Sequence, residues 1–407
     1  MDQPKTDKSV ALIPLIIAIL GLVILWKPRS ENPEFMGYAI YASILFAAAP
    51  LLLTAVWIPM TEGLGRTLAW AGVGAGILGW VLFGAPMSGG YVIGEMFFEH
   101  IDTIFTAGTV LLGLGLALSL AGVALGAEGL TRTLAFVGAG LAVGAPLIHA
   151  LGDLDGRVGQ LVISLPMIAG ALPGIPALSG KGELPSKANA EALTWAQALE
   201  GAQLFGKTVV AFVLMGIILG RVANTMDDRD VLAALTGLES LVSLGLLVVA
   251  AVGLAKLARC PDVGARALAR VASVGAGAAA ATVVAGLMLT AASVAHVVES
   301  IAGPGETLGV FSTLQTAGWL VAVLGLLGAL ARIAKIHDQG SLAIGAGITA
   351  LVFCAGSFML AALELNVFDE PSPTTLIAAT VLALGGVIAV LVVIGRFAKL
   401  NLSQANP

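Results

Sequence analysis

Few side chains in this chain combine charge with an apolar neighbourhood, and those few define the chemistry open to it. Glu239 lies within an apolar run, and Arg221 lies near the end of the run before it. On adjacent antiparallel spans the two would face each other in the outer third of a membrane. An ionisable group there costs about 2.5–3.5 kcal/mol on insertion scales. Glu239 would exchange a proton while Arg221 fixes its charge through hydrogen bonds. The competing reading puts Glu239 at a span boundary and lets Arg221 extend its head outward along its own stem.

Two further pairs put an imidazole about one helical turn from a carboxylate: His149 with Asp153, and His296 with Glu299. His100 and Asp102 fall on the same side of the membrane in the topology derived below. Such a cluster suits proton collection, a metal ion, or a haem held between His149 and His296. The plainer reading is that polar residues gather where spans meet water, and neither helix carries a second spaced His. Pro166, Pro173 and Pro176 crowd one span, and each removes a backbone donor. Broken helices at membrane depth commonly line a cavity, which makes Pro166 and Pro173 candidates for a transport path. A kink at the span's end is the alternative. The acidic groups Asp227-Asp228-Arg229-Asp230 and Asp369-Glu370 would attract cations or remain solvated.

What must position these groups is helix in lipid. Charged residues make up only 11% of the chain and hydrophobic ones 58%, against about 25% charged in an ordinary soluble domain. Apolar stretches long enough for a bilayer, roughly 20 residues each, follow one another with short polar links between them. The assigned spans are 10–26, 36–60, 68–86, 103–126, 134–152 and 158–178, then 208–226, 231–257, 271–298, 311–331, 341–365 and 375–395. The fold class expected is therefore all-α, a polytopic transmembrane helical bundle of about twelve spanning helices in two related six-helix halves. The halves are 1–178 and 208–407, joined by a cytoplasmic linker, 179–207. Within that linker Ala188 to Phe205, rich in Ala and bearing Trp195 and Leu199, predicts an interfacial helix. With 52 Gly and 6% aromatic residues, close approach of helices through small-residue faces is expected. Cys260 sits in a basic link and Cys354 in an apolar span, so no bridge joins them.

Alternating the links across the membrane separates the charges. One side, with both termini, takes 15 basic and 9 acidic residues; the other takes 5 basic and 15 acidic, with Glu239 inside a span. The positive-inside rule makes the basic side cytoplasmic, which places the chain in a bacterial inner membrane. A different number of spans would mix the two sets.

Glu62-Gly-Leu-Gly-Arg-Thr-Leu-Ala69 recurs as Glu128-Gly-Leu-Thr-Arg-Thr-Leu-Ala135, at an offset of 66. Val-Gly-Ala-Gly recurs at Val73, Val137 and Val274, with Ile-Gly-Ala-Gly at Ile344, and charges in the links agree at an offset of 204. These matches predict an internal repeat. With six spans per half, the two halves would cross the membrane in the same sense. Two sets of six spans around a long middle link resemble the general plan of major-facilitator-type transporters. Of that family's acidic and Gly-Arg-Arg-like signature, Thr61–Thr67 keeps Glu62 and Gly65-Arg66.

There is no Walker-type phosphate loop, no Cys/His zinc spacing and no Gly-x-Ser-x-Gly elbow. Enzyme activity is the least favoured class, and no cofactor is required. The leading expectation is a secondary transporter or permease for a small solute or ion, working with the lipid bilayer and without nucleic acid. The alternatives are a non-catalytic subunit that anchors or scaffolds a membrane complex, and a haem-bearing electron-transfer subunit.

Overall fold

A computed structural model describes residues 8–25, 36–89, 94–152, 156–179, 194–223, 229–294, 312–364 and 373–398. Among these residues the regular structure is helical throughout, without strand. Among the described residues nine helices are long and apolar enough to cross a membrane, and three shorter apolar helical segments accompany them: Ala11–Leu22, Phe46–Met60 and Ser164–Leu178. Many large apolar side chains face outward in helical rows. Ile344, Ile348 and Leu351 are 57–72% exposed, and Ile377, Val381, Leu384 and Ile388 form a second stripe. Water would penalise each by about 1.5–3 kcal/mol relative to burial. These faces are those of an integral membrane protein.

The chain divides into two compact units, Met1–Gly84 with Ile101–Ala192, and Ala85–His100 with Leu193–Pro407. The first contains α1 (Lys8–Leu25), α2 (Met36–Trp57), most of α3 (Gly63–Gly89) and of α4 (Gly94–Gly126), α5 (Gly129–Gly152), α6 (Gly156–Ala171) and the short α7 (Ile175–Leu178). Here α1 packs on α2 and α6, and α5 on α6. The α3–α4 contact is made by glycine. A methyl group at Gly65 would lie 2.5 Å from the Gly122 carbonyl oxygen, one at Gly115 2.6 Å from that of Gly72, and one at Gly108 2.9 Å from that of Gly79. Each set is spaced by seven residues, so in antiparallel register one backbone lies directly against the other, at distances suited to Cα–H···O contacts. Indole and hydroxyl donors tie the remaining helices. Trp80 Nε1 donates to Ile44 O (3.2 Å), and Ser119 Oγ donates to Thr54 O (3.0 Å).

The second unit holds α8 (Trp195–Ala223), α9 (Arg229–Leu257), α10 (Val263–Val294), α11 (Ser312–Ile336), α12 (Gly340–Glu364) and α13 (Pro373–Ala398). Each packs on the next, and α13 returns to α8, closing a ring. Of the segment expected to form an interfacial helix, Trp195 to Phe205 is the start of α8, which runs unbroken to Ala223. Its apolar face, Ala198, Leu199, Ala202 and Phe205, is buried in the unit's core. A capping box sets the start: Gln197 N donates to Thr194 Oγ1 (3.3 Å), and Thr194 N donates to Gln197 Oε1 (3.2 Å).

The repeated octets fold alike. Gly63 and Gly129 both adopt left-handed φ, +52° and +57°, which only glycine takes without strain. Thr67 Oγ1 donates to Gly63 O at 3.4 Å and Thr133 Oγ1 to Gly129 O at 3.3 Å.

Candidate functional site

In the second unit a cavity of about 180 Å³ opens between four helices. Val209, Phe212 and Val213 come from α8, and Trp319 and Val323 from α11. Phe353 and Ser357 of α12 and Ala383 and Val387 of α13 complete it. All lie well inside their helices: the nearest to an end are Trp319, seven residues after Ser312, and Ser357, seven before Glu364. At 1.5 Å per residue that is about 10 Å of helix. The cavity is thus at mid-length of the helices that form it.

Aromatic packing fixes one wall. The Trp319 ring meets Phe205 edge-on, with centroids 5.7 Å apart, and tilts against Phe212 at 5.4 Å. Trp319 Nε1 is buried and has no acceptor among the described residues. Buried indole N–H groups usually find a partner. Ser357 of the lining is almost wholly buried.

The end of the unit near the α9–α10 link is held differently. Asp262 caps α10 by accepting from Ala265 N at 2.7 Å, and it receives Arg332 Nε at 2.5 Å and the second guanidinium nitrogen at 3.1 Å. Arg266, buried, donates to the carbonyls of Cys260 (2.7 Å) and Pro261 (2.8 Å). Gly264 makes the approach of Arg332 feasible, because a methyl there would lie 2.5 Å from the guanidinium carbon. Burial, reinforced by the Asp262 charge, pushes the Cys260 thiol up to about 12. The thiol is therefore inert at neutral pH.

Of the residues singled out from sequence, some fall within the described residues and others do not. Glu239 is half-buried on α9, two residues into the apolar window that begins at Gly237. Arg221 lies on α8, but its side chain falls outside the described residues, as does that of His100 on α4. Asp153, His296 and Glu299 lie outside them altogether. His149 is in the last turn of α5, with Nδ1 buried and unpartnered among the described residues. Among those residues no group of three His, Cys, Asp or Glu side chains gathers as a metal site would require.

Pro166 and Pro173 fall in the first unit. The helix passes through Pro166 and tightens only after Ala171, into a 3₁₀ turn over Leu172–Gly174 that contains buried Pro173. The Gly170 carbonyl beside this turn accepts Trp57 Nε1 at 2.9 Å. Pro166 joins Pro50 of α2 and Pro146 of α5 around a small apolar cavity of about 30 Å³. Gly113 of α4 fits against Pro146 of α5, where a methyl would lie 2.8 Å from Pro146 Cγ.

Sequence reasoning missed Trp319 and its chamber. The available signal was a Trp set within an apolar span, away from the interfacial belts that Trp favours. No protein-family model, curated protein or solved structure matches the chain.

Proposed function

We propose that this multi-pass membrane protein is a secondary transporter or permease for a small solute, with the chamber in the second unit as part of its binding site. The observation that carries the reading is that chamber, lined from four helices at mid-length, where transporters hold their cargo near the bilayer midplane. The three shorter apolar segments bring the proposed count to twelve spans, with both termini on the basic, cytoplasmic side of a bacterial inner membrane.

An internal repeat supports the two-half plan. Gly72, Gly115 and Gly122 reappear 203 residues later as Gly275, Gly318 and Gly325. The contacts reappear with them: a methyl at Gly318 would lie 2.9 Å from the Gly275 carbonyl oxygen, and one at Gly325 2.8 Å from that of Leu268, the counterpart of Gly65. Glu239 and Arg221 remain proposed coupling groups on the neighbouring helices α9 and α8. Uptake of a panel of small solutes and ions into vesicles containing the purified protein tests the proposal. At least one should enter with the native chain and fail to enter with Val387→Phe; no protein-dependent uptake of any of them would defeat it.

A second reading, a scaffold subunit of a membrane complex, draws on the tightly fitted glycine contacts of α3 and α4 in the first unit. Stable copurification with other membrane subunits, together with absence of uptake, would favour it.

A further inference from the structure

We propose that the two repeated helix starts of the first unit each seat the headgroup of a phospholipid bearing a primary amine, of the phosphatidylethanolamine type. Such seats are independent of whether the second unit carries a solute.

The repeat reaches one residue beyond the octets, to Trp70 and Phe136. Each start therefore sets a carboxylate, a guanidinium and an aromatic ring at intervals of four residues: Glu62, Arg66 and Trp70 at the start of α3, and Glu128, Arg132 and Phe136 at the start of α5. Four residues are about one turn and about 6 Å of rise, so each trio forms a single stripe. The stripes face away from the core. Both carboxylates lie at exposed positions, Arg132 is exposed and Arg66 half-buried, and Trp70 and Phe136 are 41% and 46% exposed. On α5 the Arg132 guanidinium lies over the Phe136 ring, 5.9 Å from its centroid, which holds it along the stripe. Neither Arg66 nor Arg132 has an ion-pair partner among the described residues.

The apolar windows of the two helices open at Gly63 and Gly129, which puts both stripes across the boundary between water and hydrocarbon. The starts lie at the same end of the unit, because Gly65 of α3 meets Gly122 near the end of α4, and α5 begins three residues after α4 ends. Order along the stripe selects the lipid. Passing inward from water, each helix presents a negative group, then a positive one, then a ring. A phosphatidylethanolamine presents the complementary series: ammonium outermost, phosphate beneath it, then glycerol and acyl chains. The carboxylate accepts from the ammonium, and the guanidinium donates to the phosphate oxygens in its forked geometry. The ring lies at the level that interfacial aromatics favour. An anionic headgroup without an amine would meet Glu62 and Glu128 as like charges. A choline headgroup has the positive charge but no N–H to donate.

The test is native mass spectrometry of the full chain in detergent with dioleoyl phosphatidylethanolamine, its N-methyl, N,N-dimethyl and choline forms, and dioleoyl phosphatidylglycerol. The native chain should take up two ethanolamine lipids about two- to fivefold more tightly than the choline form, the range of a solvent-exposed ion pair. Affinity should fall as N–H groups are replaced by methyl groups. Glu62→Gln with Glu128→Gln should bring the ethanolamine and choline forms together and leave phosphatidylglycerol binding no weaker. Arg66→Gln with Arg132→Gln should weaken all of them. The methylation series on the native chain decides the matter even if a variant folds poorly. Equal binding of the ethanolamine and choline forms, tighter binding of phosphatidylglycerol than of either, or an ethanolamine preference that survives loss of both carboxylates would each overturn the proposal.

Discussion

The α3–α4 contact in the first unit and the α8–α11–α12–α13 chamber in the second solve the packing of apolar helices in opposite ways. Between α3 and α4, glycines at heptad spacing bring backbone against backbone and leave no space for a single methyl group. Around the chamber, Phe212, Trp319 and Phe353 hold the helices apart and leave space for a molecule. In lipid, where tails are as apolar as the side chains, small residues gain their advantage from close approach and large ones from shape. The difference separates a rigid seam from a site.

The seam should be the more sensitive to substitution. Gly115→Val drives a branched side chain into the Gly72 carbonyl and should cost about 3 kcal/mol or more, at the upper end of overpacking penalties. It is measured as loss of monodisperse protein in detergent. Gly74→Ala, on the same helix as Gly72 but with nothing within 4 Å of the added methyl, should stay within about 1 kcal/mol of the native chain. Equal tolerance at both positions would erase the contrast.

Next in size is the polar clasp at the end of the second unit. Asp262→Ala removes the two-point carboxylate partner of the largely buried Arg332 guanidinium, at about 1.5–3 kcal/mol, and the α10 cap, worth about 1 kcal/mol. Arg332→Lys should lose less, because a single ammonium keeps the charge but not the two-point geometry. Thermal unfolding of the three proteins gives the order.

The chamber should respond in the reverse sense. Val387→Phe fills space and should raise stability by about 0.5–2 kcal/mol while lowering uptake, the usual exchange when a functional cavity is closed. Destabilisation together with full uptake would show that the space is not part of the path.

A smaller effect concerns Cys260. Its thiol is raised from 9.0 to about 12, so below pH 9 folded and unfolded chains both keep the proton and stability is unaffected. Above pH 9 the unfolded chain releases the proton that the folded chain retains, and stability falls until about pH 12. Maleimide labelling of Cys260 at neutral pH should therefore follow unfolding. The smallest change is expected at the partly exposed Lys256–Glu200 ion pair, where Lys256→Met should cost less than about 1 kcal/mol.

The helices were legible because hydrocarbon demands long apolar runs and satisfied backbone groups, and that demand is written residue by residue. The octets beginning at Glu62 and Glu128 were legible as a repeat, and the structure adds that each opens a helix on a left-handed glycine, Gly63 and Gly129. The start of α8 was equally available as Thr194-x-x-Gln197, but composition drew attention to an amphipathic segment and past the cap. The glycine seam needed more than spacing: Gly65, Gly72 and Gly79 acquire meaning only once antiparallel register sets them against Gly122, Gly115 and Gly108. The chamber was least legible. Ionisable residues attracted the sequence reading, whereas the cavity is made of Val, Phe, Ala, one Ser and one Trp, residue types that also fill any packed interior. What distinguishes Trp319 is an acceptor it lacks among the described residues, which is a property of three-dimensional surroundings.

Thiol accessibility at mid-depth tests most directly whether the chamber is a solute site. With Cys260 and Cys354 replaced by Ser, single cysteines at Val387, which lines the chamber, and at Val390, which is buried in the core, are exposed to a water-soluble methanethiosulfonate in intact membranes. The thiolate, which forms only where water reaches the sulfur, attacks the reagent's sulfenyl sulfur and displaces methanesulfinate. Val387→Cys should react, while Val390→Cys stays silent. Silence at both positions would contradict a chamber that opens to solute.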